Sequence, residues 1–68
     1  MSEVDFGFVE GVIDGHGGAP NAVIAILQEI QERYRYIPRE IFPLLSSRVG
    51  LSQARIFSVA TFYENFSL

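Results

Sequence analysis

The chain has 68 residues, 49% hydrophobic and 19% charged, with no cysteine: at most one domain, too apolar for a disordered tail, and small enough that folding buries only ~60% of its surface. Eight acids against five arginines and no lysine leave a net charge of −3, which opposes the phosphate neutralisation behind nucleic-acid affinity. Without thiols these residues offer no disulfide, no thiolate nucleophile and no cysteine-held zinc or iron–sulfur cluster, and because MSEVDFG is acidic where a leader is basic and no apolar run nears the ~20 residues of a membrane span, a cytoplasmic location is expected.

The first predicted helix runs from about Val4 to Asp14, with Phe6, Val9 and Ile13 in one row and Phe8 and Val12 in the next. Gly7 and Gly11 weaken it by ~1 kcal/mol each relative to alanine. Standing four apart, they are expected to admit the close approach of a partner helix. The segment DGHGGAP then breaks the helix, since Gly15, Gly17 and Gly18 accept positive φ, and Pro20 suits the opening turn of the next.

Val23, Ile26, Leu27, Ile30, Tyr34 and Ile37 recur at helical spacing, with Gln28, Gln31, Glu32 and Arg35 on the other side. This second helix is the clearest element. Glu29 and Arg33 stand four apart in the favourable order, a pair worth about 0.2–0.5 kcal/mol. Pro38 disfavours helical geometry at Ile37 and is expected to stop the helix near Tyr36.

A third helix reaches about Val49 with Ile41, Leu44, Leu45 and Val49 inward. Pro43 complicates its start: either regular hydrogen bonding begins only near Glu40, or the first turn is distorted where the proline cannot donate. Gly50 is the expected left-handed cap, Leu51 folds back on the helix just ended, and the Ser52 hydroxyl caps the last helix. There Ile56, Val59, Ala60 and Tyr63 form the inward row, with Phe62 and Phe66 beside it. The fold class predicted is all-α, a single bundle of about four short helices.

Little in the chain suggests catalysis. His16, the one histidine, sits among glycines and reads as a solvated loop residue rather than a metal ligand. Glu10, Glu29, Glu32, Glu40 and Glu64 show no sign of a buried acid–base pair, and a solvated helix face explains them better. No catalytic, cofactor-binding or metal residue is assigned. One segment, LLSSRVGLSQARIFSVATF, has the form of a DNA-binding helix-turn-helix, with Arg55 as the sole cation of its second helix. The acidic balance makes nucleic-acid binding the alternative rather than the first choice.

The run AVIAILQEIQERYRYIPREIFPLLSSRVGLSQARIFSVATFYENFSL resembles the N-terminal helical region of the thioredoxin-like 2Fe-2S subunit family, over about residues 20–68. The most specific parts are LQEIQERYRYIP, VGLSQARIFSVATFY and NFSL; residues 1–19 match less clearly. This family includes the small iron–sulfur subunit beside the flavoprotein of respiratory complex I, and its equivalents in NAD(P)-reducing hydrogenases and NAD-dependent formate dehydrogenases. The resemblance implies a longer parent in which a thioredoxin-like domain follows, its four cysteines holding a 2Fe-2S cluster. No position here can carry that ligand role, so these 68 residues are expected to hold no cofactor and to perform no reaction alone. The implied role is docking, against the flavin-bearing, nicotinamide-handling subunit and the thioredoxin-like domain. An exposed row of Phe57, Phe62 and Phe66 is the expected contact surface, since aromatics concentrate interface energy; Tyr63 is assigned to the core.

Overall fold

The computed structural model describes residues 4–62, so the expectations for Tyr63 and Phe66 lie outside the described residues. Four α-helices form, α1 (Phe6–Gly15), α2 (Val23–Tyr34), α3 (Phe42–Val49) and α4 (Gln53–Phe62), with 3-10 turns at Pro20–Ala22 and Arg39–Ile41. Among the described residues there is no strand, and the fold is all-α. α2 is the shared support: it packs against α1 on one side and α4 on another, while α3 packs against α4.

α1 starts where the Asp5 carboxylate accepts the Phe8 amide hydrogen, at 3.2 Å, a cap worth ~1 kcal/mol. It buries Val9, Val12 and Ile13, the i, i+3, i+4 pattern of one helical face. Phe6, expected in the row of Val9 and Ile13, is instead 42% exposed; as the first helical residue it stands beyond the end of the buried face. The glycine expectation also fails. A methyl group at Gly11 would meet nothing within 4 Å, and at Gly7 only the Asp5 carboxylate, so no partner helix approaches there. Both glycines lie on the solvent side of α1.

Gly17 and Gly18 take left-handed φ of 76° and 65°, and their amides return to the Asp14 and Ile13 carbonyls, closing α1. α2 then buries Val23, Ile26, Leu27 and Ile30. It ends at Tyr34, two residues before the expected stop, because Arg35 adopts a left-handed φ of 70° and its N–H bonds the Gln31 carbonyl. That reversal turns Ile37 and Pro38 into the core as extended chain. The expected Glu29–Arg33 pair is absent: Glu29 meets His16, and the Arg33 guanidinium lies over aromatic rings.

Regular helical bonding of the third helix begins at Phe42, two residues beyond Glu40, and the proline does not distort its first turn. A 3-10 turn over Arg39–Ile41 passes into α3 at Phe42, which places Pro43 in the first turn, where the amide hydrogen has no intrahelical acceptor. Phe42, Leu45 and Val49 are buried; Leu44, expected inward, is half-buried. Gly50 caps the helix at φ 79°, its N–H on the Ser46 carbonyl, and Leu51 packs back on the core. The Ser52 hydroxyl accepts the Arg55 amide hydrogen at 3.1 Å and opens α4, which points Ile56 and Ala60 inward, with Val59 half-buried against the same core.

Candidate interaction surface

Ile13, Ile26, Leu27, Ile30, Ile41, Leu45 and Ile56 are fully enclosed, each such side chain worth roughly 1.5–3 kcal/mol of burial. The aromatic residues are distributed differently. Four of the described ones pair against this aliphatic core, at two separate places, and the two places are built in different ways.

At the α1–α2 seam Phe8 and Tyr34 form an edge-to-face pair, ring centroids 6.0 Å apart and planes 80° apart. The Arg33 guanidinium carbon covers both rings, 5.2 Å from the Phe8 centroid and 5.8 Å from that of Tyr34. The Tyr34 hydroxyl accepts the Asp5 amide hydrogen at 2.9 Å. Two polar contacts tie the glycine turn and its surroundings: a hydrogen bond of 2.5 Å between His16 Nε2 and Glu29 Oε2, and an ion pair between Arg48 and Asp14. His16, expected to be a free solvated loop residue, is therefore a half-buried bridge from the turn to α2. Asp5, Arg33 and Tyr34 at this seam, and Asp14, His16, Glu29 and Arg48 around the turn, are all engaged within the chain.

Where α2 hands over to α3, Phe42 and Phe57 form a second edge-to-face pair, also 6.0 Å between centroids and 72° between planes. Here Phe57 is 40% exposed, Tyr36 lines the same cleft at 45%, and no cation among the described residues covers either ring. These side chains, with Ile37, Arg39 and Glu40, line a cleft of 320 Å³. A shallower groove continues from Arg39 and Phe42 along Gln53, Ala54 and Ser58 of α4.

Of the three rings expected to form the contact row, Phe57 and Phe62 are both exposed, Phe62 at 79%, and Phe66 lies outside the described residues. Five positions separate Phe57 from Phe62, roughly 140° around a helix axis, so the two rings face different directions. Tyr36, Arg39 and Phe42 were not among the candidate site residues. Their sequence signal was the proline at 38, which places an extended segment between two helices; Tyr36 and Arg39 flank its buried Ile37 and Pro38.

The α3–Gly50–α4 unit has the outline of a helix-turn-helix, and the residues it turns to solvent include Gln53, Ala54, Arg55, Phe57 and Ser58. One arginine on such a helix supplies little of the phosphate neutralisation that dominates affinity for nucleic acid. The Thr61 hydroxyl is spent on the Ser58 carbonyl at 3.0 Å. No described helix is long and apolar enough to cross a membrane.

Iron–sulfur clusters are held by thiolates, with histidine replacing two of them in one class. This chain has no cysteine and one histidine, that histidine is paired with Glu29, and no three potential ligands converge among the described residues. The residues present do not fit a 2Fe-2S cluster. A match to the family model of thioredoxin-like [2Fe-2S] ferredoxin nevertheless extends over residues 9–68, from the buried face of α1 through all of α4, and the chain belongs to that family.

Proposed function

We propose that this chain is the protein-docking helical domain of a 2Fe-2S electron-transfer subunit in an NAD(P)-linked oxidoreductase complex, of the NAD(P)-reducing hydrogenase, formate dehydrogenase or NADH dehydrogenase type. Its partner is the flavin-bearing, nucleotide-handling subunit of the same cytoplasmic complex. The cluster belongs to a thioredoxin-like domain of the parent subunit, because residues 1–68 have no thiolate to hold it. The 68 residues form one helical domain that binds and orients, and performs no reaction of its own.

One observation carries this: in a chain of an iron–sulfur family that has no ligands for the cluster, large aromatic side chains stay exposed on α4 and beside it. Aromatics left at the surface of so small a domain are the side chains from which interfaces draw their energy. Phe57, Phe62 and Phe66 are the proposed contacts.

The test is titration of the chain into the flavoprotein subunit of such a complex from the same organism, followed by calorimetry, with Phe57→Ser and Phe62→Ser compared to the wild type. Micromolar or tighter binding that weakens in the variants while helicity is kept supports docking. Failure of the wild type to bind any flavoprotein subunit defeats it. A nonspecific DNA duplex serves as control: the helix-turn-helix alternative requires affinity that falls steeply with salt.

A further inference from the structure

We infer that the cleft at the α2–α3 junction is a receptor for an acidic, apolar-centred segment of the partner polypeptide, with Arg39 and Phe57 as its two principal contacts. This rests on the docking function just proposed and names the surface and the chemistry of what it binds.

The charge distribution selects the partner. Arg48 is paired with Asp14, and Arg33 is stacked over Phe8 and Tyr34. Arg39 and Arg55 have no ion pair among the described residues. Arg39 lines both the cleft and the groove that continues it. Arg55 lines neither, and at two residues from Phe57 on α4 it does not share a face with that ring. The single acid lining the cleft, Glu40, already has a partner in the fold. The acids Asp5, Glu10, Asp14, Glu29 and Glu32 lie on or at the ends of α1 and α2. Arg35, the fifth arginine, also has no ion pair among the described residues but lies in a separate groove with Gln28, Gln31 and Glu32, so in a chain of net charge −3 the uncommitted cation that lines the open aromatic cleft is Arg39.

The shape agrees with the charge. The floor of the cleft is apolar, made by Ile37 and Phe42, both nearly closed to solvent. Its walls are the rings of Tyr36 and Phe57. An aliphatic or aromatic side chain of the partner enters between the rings, and a carboxylate next to it meets Arg39. Arginine suits this role, since its planar fork takes a carboxylate in two parallel hydrogen bonds. A lysine-rich segment would meet Arg39 with like charge.

The probe is a synthetic peptide with a Leu-Phe pair flanked by glutamates, compared with a twin in which lysines replace the glutamates. Each is titrated into the isotope-labelled chain and followed by amide chemical shifts. The acidic peptide is expected to move the amides of Tyr36, Ile37, Arg39 and Phe57, and the lysine twin to bind about tenfold more weakly or not at all. Arg39→Glu is expected to invert that preference, and Arg39→Gln to abolish it, both with the folded spectrum kept, since Arg39 is exposed. Equal binding of the two peptides, or shifts centred on α1, overturns the inference. So does concentration-dependent movement of the same amides without peptide, which makes a second copy of the chain the occupant. The flavoprotein titration runs in parallel: if the flavoprotein binds while the acidic peptide does not, the cleft is wrong and docking stands. If the peptide binds in the cleft and the flavoprotein does not bind, the surface stands and the proposed function falls.

Discussion

The Phe8–Tyr34 pair and the Phe42–Phe57 pair have the same centroid separation and nearly the same tilt, yet one is closed and the other open. Around Phe8–Tyr34 the fold uses everything available, with Arg33 over the rings and the tyrosine hydroxyl on the Asp5 amide. Around Phe42–Phe57 no cation among the described residues covers the rings, and Tyr36, Phe57 and Arg39 face solvent. Identical ingredients therefore carry different meanings. An aromatic pair whose polar and cationic neighbours are satisfied belongs to stability, and one whose neighbours are left over is available for recognition.

The largest effect tests whether both pairs stand on a common support. Ile30 is fully buried on α2, the helix that contacts both α1 and α4. Ile30→Ala is expected to lower unfolding free energy by about 3 kcal/mol, in a single urea transition read by circular dichroism. Two separated transitions would show that the two regions fold independently, and the comparison would lose its common frame.

The next effect distinguishes the pairs directly. Phe8→Ala is expected to destabilise by about 2 kcal/mol, since it loses partial burial, the edge-to-face contact and the arginine stack together. Phe57→Ala, from a ring already 40% exposed, is expected to lose less than about 1 kcal/mol and to act mainly on binding. Equal losses in thermal denaturation would mean that Phe57 serves the fold as fully as Phe8 does.

How much of this the sequence disclosed follows the physics of each signal. The aliphatic rows of α2, and Ile56 with Ala60 on α4, were legible because burial imposes a period near 3.6 on side chains of one kind. The caps at Gly50 and Ser52 were legible because few residue types suit those positions. Phe6 was misplaced since periodicity does not say where a buried face ends. The Glu29–Arg33 pair was misassigned because a surface pair of a few tenths of a kcal/mol loses to any better partner, here His16 and two rings. The open cleft was not legible. Its residues come from an extended segment and two helices, and their meeting depends on a left-handed Arg35 that no glycine announces.

That residue supplies a sharper test of the closed and open regions, because it lies between Tyr34 of one and Tyr36 of the other. Arg35 at φ 70° bears the steric penalty of a side chain in left-handed backbone, ~1 kcal/mol. Arg35→Gly is expected to raise stability by about 0.5–1 kcal/mol, and Gly50→Ala, at φ 79°, to lower it by about 1 kcal/mol. Denaturant midpoints moving in opposite directions would confirm that both caps are left-handed for conformational reasons. A destabilising Arg35→Gly would mean that the arginine side chain contributes more than its backbone costs.

The smallest expected effect separates the two arginines. Arg33→Gln removes a guanidinium that lies over two rings, and at an exposed position the loss is about 0.5–1 kcal/mol. Arg39→Gln removes one that has no ion pair among the described residues, so its effect on folding is expected to stay within about 0.5 kcal/mol. The difference is measurable by urea denaturation if slopes are held common across the set. Binding then reverses the order, because the arginine that contributes least to the fold is the one free to meet a carboxylate. If Arg39→Gln instead destabilises the chain as much as Arg33→Gln, its guanidinium is already committed within the fold. The cleft would then lack its cation, and the distinction between a closed pair and an open one would no longer hold.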